Sequence, residues 1–144
     1  MLKETRTTRL VKSQDLNHHG TLFAGRIAEW FTESCFLSAA RYFGNAEDLV
    51  CVKLHGLTFK KPTMPGDTLE IVAVPARTGV KSITIGAQVF INDDPEPSVH
   101  GFATFVTVDR GGKPYPHGLH LPDEWKQAHR ELCEEAERQQ AQPH

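Results

Sequence analysis

The residues best suited to chemistry lie close together in the polar segment 15–25, whose sequence is DLNHHGTLFAG. Asn17 has an amide group that can donate a hydrogen bond to a carbonyl oxygen or hold a water molecule. The segment runs into a predicted helix, and the first backbone N–H groups of a helix lack helical partners and carry a partial positive charge. Such groups can stabilise a negative oxygen that develops during a reaction. The pattern predicts a catalytic loop, with an ordinary Asx-turn before a helix as the competing interpretation.

Two carboxylates on the predicted helix are the candidates for acid and base chemistry. Glu29 and Glu33 lie four residues apart, and therefore on one helical face, in a segment that is otherwise largely apolar. A partly buried glutamate has a raised pKa and can act as a base or nucleophile near neutral pH. Arg26 precedes Glu29 by three residues and can neutralise it in an ion pair. We therefore expect Glu29 to be mainly structural and Glu33 to be functional.

The histidines do not form a pattern typical of a metal site. His18 and His19 are adjacent in one loop, and His117 and His120 lie in another. No carboxylate or cysteine stands at a recognisable zinc spacing from them, so no metal site is predicted. His18 or His19 can still line a pocket. The chain also lacks G-x-S-x-G, Walker and G-x-G-x-x-G motifs, which leaves a serine hydrolase or nucleotide-binding fold without local support.

The elements that must position these residues follow from hydrophobic periodicity and turn residues. Residues 23–43 contain no proline and end at Gly44, which predicts a helix of about five turns. Strands are predicted at residues 3–12, 49–61, 67–77, 81–91 and 99–109, separated by recognised turn residues. This β-α-β-β-β-β order predicts an α+β fold, in which an antiparallel sheet curls around one apolar helix. Residues 121–142 predict a polar C-terminal helix with Pro122 as its first helical residue (N1).

Length, charge and composition restrict the class of protein. A chain of 144 residues is typical of one domain. A formal net charge of -2 and a pI near 6.4 argue against the basic surface that nucleic-acid binding needs. No apolar run reaches the roughly 18 residues that span a bilayer, and the N-terminus has no signal-peptide pattern. Three cysteines without a CxxC pair fit reduced thiols, so we expect a cytoplasmic protein that binds neither nucleic acid nor a membrane.

Three segments in the expected order carry a resemblance to a known family. DLNHHGTLFAG, VKLHGLTFKKPTMPGDTL and FATFVTVD resemble the corresponding parts of hotdog-fold acyl-CoA thioesterases, within the 4-hydroxybenzoyl-CoA thioesterase-like superfamily. The resemblance covers roughly residues 5–110. It implies a hotdog fold, in which a five-stranded antiparallel sheet wraps around a central helix and an extra C-terminal helix follows. The implied organisation is a thioesterase domain at 1–112 and a C-terminal loop and polar helix at 113–144.

The resemblance also implies an activity, the hydrolysis of an acyl-CoA thioester to free acid and CoA. In the family, an asparagine in the loop and an acidic residue on the central helix act together, usually across a dimer interface. Asn17 matches the asparagine, whereas Thr32 stands where the acidic residue usually falls, so its neighbour Glu33 becomes the expected base. The N–H groups near Ala24 and Gly25 are expected to hold the oxyanion.

The resemblance implies further binding residues and partners. Family members have a G-R-S-S-like turn near the nucleotide end of CoA, whereas GVKS occupies residues 79–82 here. We expect Lys61, Lys81 and Ser82 to bind CoA, with the lysines acting as point charges on phosphate. Solvated strand-end charges are the simpler interpretation of the lysines. No cofactor is expected beyond the CoA that the substrate carries, and a homo-oligomer built from dimers is expected because a curled sheet leaves an open edge.

Two other functions remain open at this point. A non-catalytic acyl-CoA-binding protein would share the fold and the binding residues without turnover. A hotdog dehydratase or hydratase would need a histidine paired with an acid at the helix, and Phe23 occupies the place where that histidine is expected. Thioester hydrolysis by the purified protein distinguishes these functions.

Overall fold

The helix and the five strands predicted from the sequence all form. A computed structural model describes residues 2–141. The β-α-β-β-β-β order is confirmed. The strands are β1 (Thr5–Leu10), β2 (Leu49–Phe59), β3 (Thr68–Thr78), β4 (Ser82–Ile91) and β5 (Val99–Thr107), and the helices are α1 (Ala24–Phe43), α2 (Asp123–Ala128) and α3 (Arg130–Ala141).

The long helix α1 has the boundaries that its sequence dictates. Phe23 is the N-cap in extended conformation, and Gly44 ends the helix in the left-handed region with φ 90. A left-handed C-terminal residue favours glycine because other side chains are strained there. Ile27, Phe31 and Cys35 recur every four residues and are buried, so one stripe of the helix faces the core.

The sheet has the strand order β1-β3-β4-β5-β2, and all neighbouring strands are antiparallel. In β4, alternate residues face α1 and are fully buried, namely Ile83, Ile85, Ala87 and Val89. Each fully buried Ile or Val side chain stabilises the fold by about 1.5–3 kcal/mol. Helix α1 contacts all five strands, so it lies across the whole sheet.

The other face of the sheet is covered in part by the C-terminal helices. Phe102 and Ala76 of the sheet pack against Cys133 and Ala136 of α3. A Cβ at Gly86 would lie 3.0 Å from the Phe102 ring and 3.3 Å from Leu132, so this tightly packed position favours glycine. Burial also raises the pKa of the Cys133 thiol.

The predicted C-terminal helix is divided into two. His129 leaves helical geometry with φ -123 and ψ 39 between α2 and α3. Trp125 donates a hydrogen bond from Nε1 to the Pro75 carbonyl of β3 at 2.8 Å, which fixes α2 to the sheet. Pro122 is the N-cap residue and not the first helical residue. The last predicted helical residue, Gln142, lies outside the described residues.

Strand β2 is an edge of the sheet and carries an irregularity. Its pairing with β5 shifts register between His55 and Thr58, and Gly56 lies there with φ 64. A bulge of this kind bends a strand and redirects the residues that follow it. Val50, Val52 and Leu54 on this edge strand are exposed, at 45%, 57% and 42%. The edge is therefore apolar and uncovered within one chain.

None of the helices in the described part of the chain is long and apolar enough to cross a membrane. The division of the chain at residue 112 stays a prediction.

Candidate active site

The loop that contains Asn17 is held by that residue's own side chain. Asn17 Oδ1 accepts hydrogen bonds from the backbone N–H groups of His19 at 2.9 Å and Thr21 at 3.2 Å. Its Nδ2 donates to Thr21 Oγ1 at 2.9 Å. The Asx-turn interpretation of this loop is therefore confirmed. It leaves one hydrogen of the amide for a ligand, because Nδ2 carries two and Thr21 takes one.

Asp15 anchors the Asn17 loop to both neighbouring elements. The residue is 4% exposed, and its Oδ2 accepts the Lys12 N–H at 2.9 Å. Its Oδ1 lies 3.2 Å from Arg26 Nε on α1, and its carbonyl accepts the Phe23 N–H at 2.9 Å. A buried carboxylate needs such partners because losing its hydration is costly. Asp15 therefore fixes the start of α1 relative to the loop.

The start of α1 offers free N–H groups. The Phe23 carbonyl accepts the N–H groups of Arg26 and Ile27, but no side chain caps the helix. Among residues 2–141, no acceptor is found for the N–H groups of Ala24 and Gly25. The first turn contains no acidic residue, so its positive end is not neutralised there. A Cβ at Gly25 would lie 2.4 Å from the exposed Phe23 ring, so a larger residue there would displace that ring.

A second segment, residues 59–63, faces the helix start and closes a concave site, which we call the Asn17 cavity. The Leu22 N–H donates to the Thr63 carbonyl at 2.8 Å and joins the two segments. The cavity has a volume of about 330 Å³. Its walls are Asn17, Leu22, Ala24, Ile27, Phe59, Lys60, Lys61, Pro62 and Thr63. The structure thus brings together three of the predicted site residues, Asn17, Ala24 and Lys61, with Gly25 next in the helix.

Lys61 lies at the rim of this cavity and is paired with an acid. Its Nζ is 2.7 Å from Asp94 Oδ2, in the turn that precedes β5. The hydrogen bond that Lys61 donates to Asp94 raises the pKa of Lys61, and the same bond lowers the pKa of Asp94. Lys60 also lines the cavity, and its side chain has no ion-pair partner within the described chain. The rim therefore has two lysines, and one of them is free to meet a phosphate.

Glu33 does not face the cavity of its own chain. Its side chain is 52% exposed and accepts a hydrogen bond from the Arg9 guanidinium, which lies 5.5 Å from the Trp30 ring centre. Nine residues separate Glu33 from Ala24, which corresponds to about 13.5 Å along a helix. Thr32 donates its hydroxyl to the Ala28 carbonyl at 2.7 Å.

Glu29 behaves as expected from the sequence. Its Oε2 lies 3.4 Å from Arg26 Nη1, so the predicted ion pair is present. Because Arg26 also contacts Asp15, this pair belongs to the contacts that hold the helix start. Glu29 is not among the described residues that line the cavity.

Lys81 and Ser82 lie at the opposite end of the sheet. The carbonyl of Ser82 accepts hydrogen bonds from the Gly79 N–H at 2.9 Å and from His117 Nε2 at 2.8 Å, and the carbonyl of Lys81 accepts the Thr107 N–H at 3.0 Å. Strand β4 separates this turn from the cavity end by about 30 Å, given 3.3 Å per residue. One chain therefore does not bring Lys81 and Ser82 together with Lys61.

The remaining candidates lie away from the cavity. His18 and His19 are exposed, with ring centres 4.0 Å apart, and neither lines the cavity. Within residues 2–141, no group of three or more histidine, cysteine, aspartate or glutamate side chains could hold a metal ion.

Two residues of the site were missed by the sequence interpretation. Asp15 stands two residues before Asn17, and a lone acid ahead of a helix start is a signal that could have identified it. Thr63 has no comparable local signal, because only the contact with Leu22 brings it into the cavity wall.

The class of protein follows from this fold and from the position of the site. One long helix lying on a five-stranded antiparallel sheet, with extra C-terminal helices, is the hotdog fold of solved acyl-CoA thioesterases. The chain belongs to the thioesterase superfamily, whose family model matches residues 19–98, more than half of its length.

Individual relatives agree with this assignment. A Bacillus subtilis protein described as an uncharacterized acyl-CoA thioester hydrolase, YkhA, is 26% identical over 113 residues, which are 76% of this chain and 64% of that protein. A solved acyl-CoA hydrolase from Staphylococcus aureus, in complex with butyryl-CoA and CoA, superposes with a TM-score of 0.77 at 28% identity, covering 96% of this chain and 84% of that one. A structure described as an apo-hexameric acyl-CoA thioesterase has a TM-score of 0.79 at 29% identity, covering 95% and 88%.

Proposed function

We propose that this protein is an acyl-CoA thioesterase, which hydrolyses a CoA thioester to a free acid and CoA. The observation that carries the proposal is the Asn17 cavity, which is lined both by Asn17 and by Ala24 at the uncapped start of α1. Free N–H groups at a helix start are suited to stabilise the oxyanion formed when a thioester carbonyl is attacked. Membership of the thioesterase superfamily and the described activity of the relatives support the same reaction.

The proposed reaction assigns a role to each group. The N–H groups of Ala24 and Gly25 bind the thioester carbonyl oxygen, and the second N–H of Asn17 Nδ2 holds the attacking water. A carboxylate accepts a proton as this water adds to the carbonyl carbon. The C–S bond then breaks, the CoA sulfur leaves as a thiolate, and it receives the proton. Attack by the carboxylate itself, followed by hydrolysis of the anhydride, gives the same products.

We propose that Glu33 supplies this carboxylate to the cavity of a second copy of the chain. Within one chain, Glu33 lies too far along α1 from Ala24 to share a substrate with it. It is exposed on the side of α1 that also exposes Leu37, at 40%. To serve as the base it must leave Arg9, or share it, when a second copy packs there.

A homo-oligomer built from dimers is part of the proposal. The edge strand β2 presents exposed apolar side chains, including Val50 and Val52. Apolar sheet edges are unfavourable in an isolated chain and are suited to pairing with a two-fold partner. The hexameric assembly described for one solved relative supports an oligomer. Val52→Asp is expected to produce a monomer by light scattering and to reduce activity; an active monomer would contradict the shared site.

We further propose that CoA phosphates bind at Lys61 and, from a second copy, at Lys81 and Ser82. Water is the only co-substrate in this proposal, and no cofactor takes part beyond the CoA of the substrate. We place the protein in the cytoplasm, where its three free cysteines would stay reduced.

A direct assay tests the activity. Purified protein is incubated with short-chain, aromatic and long-chain acyl-CoAs, and the released CoA thiol is detected. We expect turnover with at least one acyl group. Binding of acyl-CoA without turnover of any of them would favour the second candidate, a non-catalytic acyl-CoA-binding protein. The pairing of Glu33 with Arg9 is the observation that keeps this candidate open. A dehydratase gains no support, since the cavity wall formed by the described residues contains no histidine.

A mixing experiment tests whether the site is shared. Asn17→Asp and Glu33→Gln subunits are each expected to be inactive. When they are unfolded together and refolded as a mixture, half of the dimers contain one of each, and one of their two sites is intact. About a quarter of the wild-type activity should return if each site takes Asn17 and Glu33 from different chains. If no activity returns, either both residues act in a site formed by a single chain, or one of them takes no part in catalysis.

A further inference from the structure

Thr63 lines the Asn17 cavity, and its side-chain hydroxyl is buried without a partner among residues 2–141. We propose that Thr63 is a substrate-contacting residue, whose hydroxyl donates a hydrogen bond to the thioester carbonyl oxygen of the bound acyl-CoA. This inference rests on the proposed function and assigns one more residue to the same site.

The position of Thr63 is fixed by its backbone. Its carbonyl accepts the Leu22 N–H at 2.8 Å, and Leu22 stands two residues before Ala24. Both residues line the same cavity as Asn17. Thr63 is therefore held beside the segment that leads into the free N–H groups of α1, where the thioester carbonyl is proposed to bind.

The hydroxyl of Thr63 is an exception to the rule that buried polar groups are paired. The residue is 2% exposed, and its Oγ1 has no hydrogen-bond partner in the described part of the chain. Its neighbours in the wall, including Leu22, Ile27 and Pro62, have apolar side chains. A buried hydroxyl without a partner destabilises a fold, and at a residue that lines a cavity a ligand group can supply the missing partner.

The chemistry of the substrate selects the carbonyl oxygen as that group. A thioester has one strong hydrogen-bond acceptor, its carbonyl oxygen, because divalent sulfur accepts only weakly. The hydroxyl can donate one hydrogen to it, while Ala24 and Gly25 donate backbone N–H groups from the helix. The bond strengthens as the oxygen becomes negative, so it favours the transition state over the bound substrate.

Conservative variants separate this role from a structural one. Thr63→Val removes the hydroxyl at nearly constant shape, and Thr63→Ser keeps it. The matched control is Ser98→Ala, since Ser98 is 1% exposed, its Oγ also lacks a partner among residues 2–141, and it does not line the cavity. Each variant is assayed for melting temperature, for kcat and KM, and for binding of two unreactive probes. One probe is a ketone analogue of butyryl-CoA with a methylene group in place of sulfur, and the other is S-butyl-CoA, a thioether without a carbonyl.

We expect Thr63→Val to lower kcat/KM about tenfold or more, as for a lost hydrogen bond to a reacting oxygen, with an unchanged or higher melting temperature. Thr63→Val should weaken the binding of the ketone analogue and leave the binding of the thioether unchanged. Thr63→Ser should stay within about twofold of the wild type, and Ser98→Ala should change neither kcat/KM nor the binding of either probe.

Three results would overturn the assignment. These are an unchanged kcat/KM and ketone affinity in Thr63→Val, an equal loss of affinity for both probes, or a melting temperature lowered in parallel with activity. If wild-type protein hydrolyses no acyl-CoA, the proposed function fails. The binding of the two probes still decides whether Thr63 forms a hydrogen bond with the carbonyl oxygen.

Discussion

The two ends of α1 differ in how their polar groups are satisfied. At its start, the N–H groups of Ala24 and Gly25 and the Thr63 hydroxyl have no hydrogen-bond partner within the described chain, and Ala24 and Thr63 line the same cavity. At its end, the backbone is capped, because the Gly44 N–H donates to the Ala40 carbonyl. The Tyr42 hydroxyl is the exception there, since it has no partner among the described residues. Polar groups left unpaired in a concave surface are available to a ligand, whereas paired ones stabilise the fold. We therefore propose that the start of α1 is the functional end and that the opposite end is structural.

The largest effect on activity is expected at Glu33. This residue lies in the middle of α1, between the two ends compared above. Glu33→Gln is expected to preserve folding and CoA affinity while lowering kcat by about a hundredfold to ten-thousandfold, because it removes the proposed general base. Glu29→Gln should change kcat only modestly, since Glu29 pairs with Arg26. Steady-state kinetics and circular dichroism measure both outcomes.

Arg9→Met is the control for a purely structural role of Glu33. If Glu33 serves only to bind Arg9, both variants will lose activity to the same extent. An inactive Glu29→Gln with an active Glu33→Gln would show that the other carboxylate is the base.

The next effect tests the functional end directly. Asn17→Asp keeps the oxygen that accepts the His19 and Thr21 N–H groups but loses the amide donor. We expect kcat/KM to fall about a hundredfold or more, with a melting temperature close to that of the wild type. Asn17→Ala should lose turnover far more than stability, although it also releases the loop.

Thr21→Val is the control for this prediction, because it removes only the partner of Asn17 Nδ2. It should lower the rate much less than Asn17→Asp. Wild-type kinetics in Asn17→Asp would remove the amide from the mechanism.

A smaller effect, on KM for acyl-CoA, is expected from the lysines, with Lys61 at the functional end and Lys81 at the opposite end of the sheet. Lys61→Ala is expected to raise KM for acyl-CoA up to about fivefold, the range of an exposed ion pair, without changing kcat. Lys81→Ala and Ser82→Ala should have smaller effects, because they can reach CoA only from a second copy. A larger increase in KM for Lys81→Ala would mean that the phosphates bind mainly at the structural end.

The smallest effect on activity is expected at the structural end. Tyr115 donates its hydroxyl to Asp48, and this hydrogen bond raises the pKa of Tyr115 from 10.0 to about 12. Because the folded-state pKa is raised, the bond stabilises the fold fully below pH 10, and this contribution is lost as the pH rises towards about 12. Tyr115→Phe should therefore lower the melting temperature at pH 8, by an amount that shrinks above pH 10, with unchanged kcat/KM.

Tyr42→Phe is its matched control, because the Tyr42 hydroxyl has no partner among the described residues. It should not lower the melting temperature at pH 8. A loss of activity in Tyr115→Phe at constant stability would show that this end also takes part in function.

Much of the architecture could be predicted because its causes are local. Gly44 ends α1 in the left-handed region, and apolar residues at four-residue spacing bury one stripe of that helix. The division of the C-terminal helix at His129 was not predictable, because the bond from Trp125 to Pro75 joins residues fifty positions apart. The order of the strands was not predictable either, since β2 pairs with β5 and not with β3, which follows it.

The sequence by itself determined the loop at Asn17, the free start of α1 and the family resemblance, because turn chemistry and helix termini depend on neighbouring residues. Only the tertiary structure decided which residues meet there. It placed Thr63 and Lys61 in the cavity, paired Glu33 with Arg9, and put Lys81 at the far end of the sheet. These outcomes depend on strand register and on the bulge in β2, which set contacts between residues that are distant in the chain.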